Sequence, residues 1–356
     1  MKSKVYFFIG TKAQAIKCLP VIKYFVDKLE IEIIDSGQHR KIVDEIYTSL
    51  NLNIEKNILS NNKNNISTYK SGFSWFIKFL FKQLSLRTLP KSNSKSICLV
   101  HGDTVSTLLG LLWAKRNSLK VLHLESGLTS NSLLNPFPEE IIRRIVSRYS
   151  DILICFDKSS EEYLIDKYSN KNKFIEKVSE NTISEMIDLN PVKIEKNLIT
   201  VTMHRTENLV SSKIFKTFCQ LLNDLSEVYK INWYLHEPTK NYLDKYKIAL
   251  SRKINVLPLL PHDEFILEIK KSSLVITDGG SIQEECYLLN KPTVLWRKKT
   301  ERQYATNNNM FLSKFNIEAV HSFIRENINS EQKEAKFDYK PSKEIYEFLK
   351  NKNLIN

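Results

Sequence analysis

The stretch SICLVHGDTVSTLLGLLWAKRNSLKVLHLES, residues 96–126, decides the fold. It contains two short apolar runs, 96–102 and 120–126, separated by a longer segment, 104–117, with the composition of a helix. This pattern predicts a βαβ unit with two parallel strands. The apolar character of each run is nearly continuous, which is typical of strands covered on both faces.

The same alternation extends along the chain in two series. Further strands are predicted at 4–10, 31–37 and 151–157, and a second series lies at 197–205, 230–237, 254–261, 274–280 and 293–297. The segment between the series, 168–197, is polar and lacks a long periodic pattern. We therefore predict an α/β protein with two Rossmann-like, doubly wound parallel-sheet domains and an interdomain cleft. The predicted domains are 1–168 and 169–341, with a C-terminal helix, 342–356, packing back on the first.

The composition limits the class of protein. Lysine and arginine exceed aspartate and glutamate, giving a formal charge of +13, but the lysines are scattered and no basic stripe predicts nucleic-acid binding. No stretch reaches the roughly 18 apolar residues of a membrane span, so no stable membrane insertion is expected. A basic amphipathic segment, 71–91, is predicted to pack on the sheet, with a membrane surface as the alternative.

The five cysteines are widely spaced and form no CxxC pair. This spacing argues against a metal site or a disulfide framework and favours a reducing compartment. We therefore expect a cytoplasmic protein.

Acidic residues recur at the predicted strand ends of the first domain. Asp103 follows one strand and Glu125 follows the next, while Glu139 opens the helix after Pro138. Each alone is explained by helix capping. Together they exceed what capping requires, and crowded carboxylates raise one another's pKa, which suits general acid–base chemistry.

Small residues and cationic side chains lie at the ends of other predicted strands. In GTKAQAIK, 10–17, a strand-to-helix turn offers Lys12 and Lys17 to a phosphate. His204 and Arg205 follow the first strand of the second domain. Within LVITDGGSIQEECYLLNKPTVLW, 274–296, the alternatives are a plain helix start and a nucleotide pocket. We favour the pocket, in which backbone N–H groups of Gly279, Gly280 and Ser281 receive a diphosphate and Glu284 or Glu285 receives ribose hydroxyls.

These motifs carry a resemblance. GTKAQAIKCLP, DSGQHR, HGDT, HLESGL, PFPEE, VTMHRTEN and DGGSIQEECYLLNKPTVLWRKKTER resemble, in order and spacing, the UDP-N-acetylglucosamine 2-epimerase family. The resemblance implies a GT-B-like fold and a cytoplasmic homodimer that interconverts UDP-GlcNAc and UDP-ManNAc for surface polysaccharide synthesis. In the non-hydrolysing members, loss of the C2 proton and departure of UDP give a 2-acetamidoglucal, to which UDP returns with C2 inverted.

The resemblance also implies roles for particular residues, and it implies no metal or nicotinamide cofactor. Asp103, Glu125, Glu139 and His204 match the catalytic residues of the family. The substrate-binding residues are expected to be Lys12, Lys17, Gln38, His39, Arg143, Arg205, His236, Gly279, Gly280, Ser281, Glu285 and Arg302.

The chain departs from the family pattern at several positions. Lysine and threonine, Lys12 and Thr129, stand where the family has arginines, Glu180 replaces a glycine, and the Ser-Gly-Gly order is permuted. Three other functions are therefore weighed: a GT-B glycosyltransferase using a UDP-sugar, a hydrolysing 2-epimerase that releases ManNAc and UDP, and a UDP-sugar-binding protein without turnover.

Overall fold

The chain divides into two compact units in a computed structural model that describes residues 3–38, 43–44, 54–59, 95–129, 138–302, 309–332 and 334–356. The first unit comprises Met1–Met186 together with Tyr339–Asn356, and the second comprises Ile187–Asp338. The first boundary therefore falls after the predicted residue 168. The reason is a short strand inside the segment that the sequence assigns to the linker.

The described part of the first unit is built on a seven-stranded parallel sheet with the order β3-β2-β1-β4-β5-β6-β7. The strands are β1 (Lys4–Ile9), β2 (Glu30–Asp35), β3 (Glu55–Ile58), β4 (Ile97–His101), β5 (Lys120–Leu124), β6 (Ile152–Cys155) and β7 (Phe174–Lys177). The helices are α1 (Lys12–Phe25), α2 (Val105–Arg116), α3 (Glu139–Tyr149), α4 (Lys158–Tyr168), the 3₁₀ helix Thr182–Met186 and the C-terminal helix Pro341–Asn351.

Strand β1 shows why this sheet is covered on both faces. Phe7 belongs to a core shared with α1 and the C-terminal helix, whereas the neighbouring Phe8 belongs to a second core with α2 and α3. Successive side chains of a strand point to opposite faces, so a nearly continuous apolar strand requires helices on both sides. The C-terminal helix joins the first core, and the ring centroids of Tyr346 and Phe25 lie 5.6 Å apart.

The described part of the second unit has a six-stranded parallel sheet with the order β10-β9-β8-β11-β12-β13. Its strands are β8 (Leu198–Thr202), β9 (Lys230–Tyr234), β10 (Ile254–Leu257), β11 (Leu274–Thr277), β12 (Thr293–Leu295) and β13 (Met310–Leu312). Its helices are α5 (Thr206–Val210), α6 (Ser212–Leu225), α7 (Glu237–Tyr246), α8 (His262–Lys271), α9 (Gly280–Leu288) and α10 (Ile317–Asn327).

The prediction of two doubly wound parallel-sheet domains is confirmed. In each sheet the strand order reverses once, between β1 and β4 in the first unit and between β8 and β11 in the second. Ligands of such sheets bind where the order reverses, at the carboxyl ends of the strands. Of the helices that the structure describes, none has the length and apolar character needed to cross a membrane. The segment 71–91 lies outside the described residues.

Candidate functional site

The turn after β1 is fixed by a glutamine. Thr11 caps α1, and Gln14 completes the capping box by accepting hydrogen bonds from the backbone N–H groups of Gly10 and Thr11. The Gln14 side-chain amide donates to the carbonyl oxygen of His101 at 2.9 Å and to the hydroxyl of Thr107 at 3.0 Å. One buried side chain therefore joins the two turns that flank the point of strand reversal.

Glu125 has the local environment of a functional carboxylate. It is 3% exposed and follows β5 with φ of +64°, a left-handed conformation that costs a non-glycine residue about 1–3 kcal/mol. Its Oε2 accepts a hydrogen bond from the ammonium group of Lys17 at 2.7 Å and lies 2.9 Å from Nε2 of His101. The surrounding fold thus holds a strained, buried carboxylate against two potential cations.

Asp103 belongs to a second charged network at the same edge of the sheet. Its Oδ2 accepts a hydrogen bond from the guanidinium group of Arg143, which also donates to Glu140 at 2.8 Å. Glu140 is completely buried and further accepts from Arg144 and from the hydroxyl of Thr129, both at 2.9 Å. Arg143 therefore links Asp103 to α3, and Thr129, which departs from the family pattern, takes part in the network.

His123 supports Asp103 from within β5. The imidazole is fully buried, with Nε2 2.7 Å from the carbonyl oxygen of Gly102 and Nδ1 3.2 Å from the hydroxyl of Ser147. Burial lowers the pKa of His123 to about 4, which outweighs the opposing effect of the Gly102 hydrogen bond. A neutral ring that donates from Nε2 fixes the turn immediately before Asp103, where Gly102 has φ of +68°.

The other predicted residues of the first unit are dispersed around these networks. Lys12 is the first residue of α1 and is partly exposed, and Glu139 is the first residue of α3 and is partly buried. Gln38 follows β2 and accepts a hydrogen bond from the hydroxyl of Ser106 at 2.7 Å. His39 lies outside the described residues.

In the second unit, Asp278 organises the turn after β8. This completely buried carboxylate accepts hydrogen bonds from the backbone N–H groups of His204 and Arg205 at 3.0 Å and 2.9 Å. It also accepts from the side-chain amide of Asn208 at 3.0 Å. The ends of β8 and β11 are thereby joined through one side chain, which positions His204.

The ring of His204 is exposed beside a second histidine. The imidazoles of His204 and His236 stack with centroids 4.7 Å apart. A Cβ atom at Gly279 would lie 3.0 Å from Cε1 of His204, a tight contact. Glycine at this position therefore leaves the space that the imidazole occupies.

Three arginines surround one buried carboxylate next to α9. Glu301 accepts from Arg297 at 2.8 Å, from Arg205 at 3.3 Å, and from Arg302. Burial alone would raise the pKa of Glu301, but the guanidinium groups of Arg205, Arg302 and Arg297 hold it well below its usual value. The carboxylate therefore stays ionised and keeps these cations in place.

Arg302 lies against the first residue of α9. Its Nε is 3.0 Å from a carboxylate oxygen of Glu284, and a Cβ atom at Gly280 would meet its guanidinium group. Ser281 follows as the second residue of the helix and is partly exposed. The structure thus brings Gly279, Gly280 and Arg302 together at the N-terminus of α9, and helix N-termini favour anions.

Glu285 occupies the next turn of the same helix and is 1% exposed. Its Oε1 lies 2.8 Å from Nε2 of His262, the first residue of α8. Between the two glutamates that the sequence left open, Glu284 is thus engaged by Arg302 and Glu285 by a histidine. Among the residues described, no group of three or more His, Cys, Asp or Glu side chains is arranged to hold a metal ion.

Several organising residues escaped the sequence analysis. His123 lies within an apolar strand. Asp278 and Glu301 each stand next to residues of a predicted binding motif and were not assigned a role of their own. The available signal was the position of His123 within β5 and of Asp278 directly after β11. His262 gave no local signal, because its partner Glu285 lies on a different helix.

Comparison with known proteins identifies the family. A model of the UDP-N-acetylglucosamine 2-epimerase family matches residues 26–348. The UDP-N-acetylglucosamine 2-epimerase of Campylobacter jejuni is 28% identical over 340 residues, covering 86% of this chain and 84% of the relative. The protein of the same name from Salmonella borreze is 26% identical over 329 residues, covering 86% and 84%.

Solved structures share the fold. The Methanocaldococcus jannaschii UDP-GlcNAc 2-epimerase, in complex with UDP-GlcNAc and UDP, aligns with a TM-score of 0.80 at 23% identity, covering 99% of this chain and 100% of that one. The Neisseria meningitidis UDP-GlcNAc 2-epimerase bound to UDP-GlcNAc aligns with a TM-score of 0.77 at 23% identity, with the same coverage. At these identities the likeness concerns the fold. The family match, which spans most of the chain, carries the assignment: the chain belongs to the UDP-N-acetylglucosamine 2-epimerase family.

Proposed function

We propose that this chain is a non-hydrolysing 2-epimerase that interconverts UDP-GlcNAc and UDP-ManNAc. We assign the acid–base groups for the proton at C2 to the first unit and the cations for the diphosphate to the second unit. The C2 proton and UDP leave to give a 2-acetamidoglucal. UDP then adds back to C1, and a proton returns to the opposite face of C2.

Asp103 is assigned as the base that accepts the C2 proton. Its side chain is 27% exposed, and the guanidinium group of Arg143 donates to Oδ2 of its carboxylate rather than to Oδ1. Glu125 is buried, and its Oε2 is already engaged by Lys17. We assign Glu125 to the electrostatics of the site and Glu139 to proton return on the other face of the sugar.

The second unit is suited to a departing diphosphate. Negative charge grows on UDP as the C1–O bond breaks, and preorganised cations and helix N-termini stabilise such charge. Arg302, which lies against the first residue of α9, and Arg205, which follows β8, both form ion pairs with Glu301. Both guanidinium groups are therefore held in place before a ligand binds. His204 and His236 lie together near Gly279, and Glu285 accepts hydrogen bonds from the ribose.

The observation that carries the proposal is the Asp103–Arg143 contact beside the strained Glu125. Chemistry at C2 requires a base, and here carboxylates are held at neighbouring strand ends by buried cations. Family membership supplies the substrate class to which that chemistry applies.

The proposal also covers the cellular compartment, the oligomeric state and the pathway. All five cysteines are buried thiols, which suits the reducing cytoplasm. We further propose a homodimer that feeds surface polysaccharide synthesis. Sedimentation velocity tests the dimer, and loss of the polysaccharide on deletion of the gene tests the pathway.

The activity is tested by incubating the purified chain with UDP-GlcNAc and following the products by proton NMR. UDP-ManNAc is expected with the wild type, and Asp103→Asn is expected to lose about 100-fold or more in rate. The exposed Asp166→Asn is the matched control and keeps full activity.

The other outcomes of this assay would contradict the proposal. Free ManNAc with UDP would indicate a hydrolysing enzyme. Sugar transfer that occurs only when an acceptor is added would indicate a glycosyltransferase. Tight binding of UDP with unchanged substrate would indicate a binding protein.

A further inference from the structure

Glu285 is a buried carboxylate with an unused oxygen. Oε1 lies 2.8 Å from Nε2 of His262, while Oε2 is buried and has no hydrogen-bond partner among the described residues. A carboxylate withdrawn from water with half of its accepting capacity unused is costly. The arrangement is explained if a ligand donates to Oε2.

His262 determines which oxygen of Glu285 remains available. A carboxylate can only accept, so the imidazole donates from Nε2. The contact prevents the carboxylate from rotating, and it commits Oε1 to the histidine. Oε2 is then the oxygen left to accept a further hydrogen bond.

The helix that carries His262 is itself firmly anchored. One turn after His262, Phe265 packs edge-on against Tyr234 of β9 with ring centroids 5.2 Å apart. The hydroxyl of Tyr234 donates to Glu268 at 2.9 Å. The imidazole of His262 is 15% exposed. It is therefore fixed on a packed helix rather than on a mobile loop.

We propose that His262 is a positioning residue that orients Glu285 toward the ribose hydroxyls and thereby makes the enzyme select ribonucleotides. This inference rests on the proposed function, in which UDP is bound by the second unit. It adds to that function a structural cause for the selection of ribose over deoxyribose in the nucleotide. A site built to hydrogen-bond hydroxyls discriminates strongly against analogues that lack them, because the buried acceptor is left unpaired.

The test compares the affinities of UDP and 2′,3′-dideoxy-UDP by calorimetry. Hydrogen bonds to a buried carboxylate predict that wild type binds UDP at least about tenfold more tightly. In His262→Ala this ratio is expected to fall below about threefold. His262→Gln, whose amide nitrogen can replace Nε2, is expected to retain most of the discrimination. His321→Ala on α10 is the matched control and keeps the wild-type ratio.

The ratio separates positioning from general damage, because a misfolded site would weaken both ligands equally. The inference is overturned if His262→Ala binds UDP and discriminates as wild type does, or if wild type binds both nucleotides equally well. Failure of wild type to bind UDP at all would instead overturn the proposed function on which the inference depends.

Discussion

Replacing His123 by glutamine should reduce the amount by which the free energy of unfolding of the first unit falls at acidic pH. The buried imidazole has a pKa of about 4, against 6.5 in the unfolded chain. Between these values the unfolded chain binds more protons, so the free energy of unfolding decreases as the pH falls from 6.5 toward 4 and is fully retained above 6.5. From pH 7.5 to pH 5 this group alone should remove about 2 kcal/mol.

Hydrogen exchange of β4 and β5 peptides measures this free energy without requiring both units to unfold together. Glutamine does not titrate, and its amide can still donate to the carbonyl oxygen of Gly102. His123→Gln should therefore lose about 2 kcal/mol less than wild type over this pH range. Equal losses in the two proteins would refute the assignment of a buried, neutral His123.

Three further predictions concern the charged residues of the first unit and the strand-end turns of the second unit. Lys17→Met leaves the buried Glu125 without the ammonium group that donates to it and should lower the free energy of unfolding by about 3–5 kcal/mol in urea titrations, whereas Lys17→Met/Glu125→Gln should recover part of this loss. Gly280→Ala displaces Arg302 and should weaken UDP binding about tenfold in calorimetry, while the exposed Asp166→Asn should leave UDP affinity unchanged. Asp278→Ala leaves two backbone N–H groups without an acceptor and should lower kcat for epimerisation at least about tenfold; an unchanged kcat would show that His204 is held by other contacts.

The sequence predicted the strands that are apolar and buried along most of their length. The runs at β1, β4, β5 and β6 are buried almost throughout, and their composition alone indicated a covered parallel sheet. Three edge strands, β3, β7 and β13, were missed. The sequences of β3 and β7, EKNI and FIEK, contain charged residues and are only partly buried, and β13 is only three residues long. An edge strand is covered less completely, so its sequence resembles that of a loop.

The candidate site was predictable to the extent that it depends on strand ends. Asp103 and Glu125 directly follow β4 and β5, which are paired through His101 and Leu124. The side chains that orient these residues were not predictable, because their contacts cross between elements. Glu140 illustrates this: its position at the start of α3 does not reveal that the residue is completely buried and joins Arg143 to Thr129.

The central claim is that carboxylates of the first unit exchange the proton at C2 of a UDP-sugar. Incubation of UDP-GlcNAc with the chain in heavy water tests it most directly, with mass spectrometry and NMR locating the label. We expect one deuterium at C2 of both UDP-GlcNAc and UDP-ManNAc at equilibrium. Formation of UDP-ManNAc with the original hydrogen retained at C2, or an undiminished exchange rate in Asp103→Asn, would contradict the account.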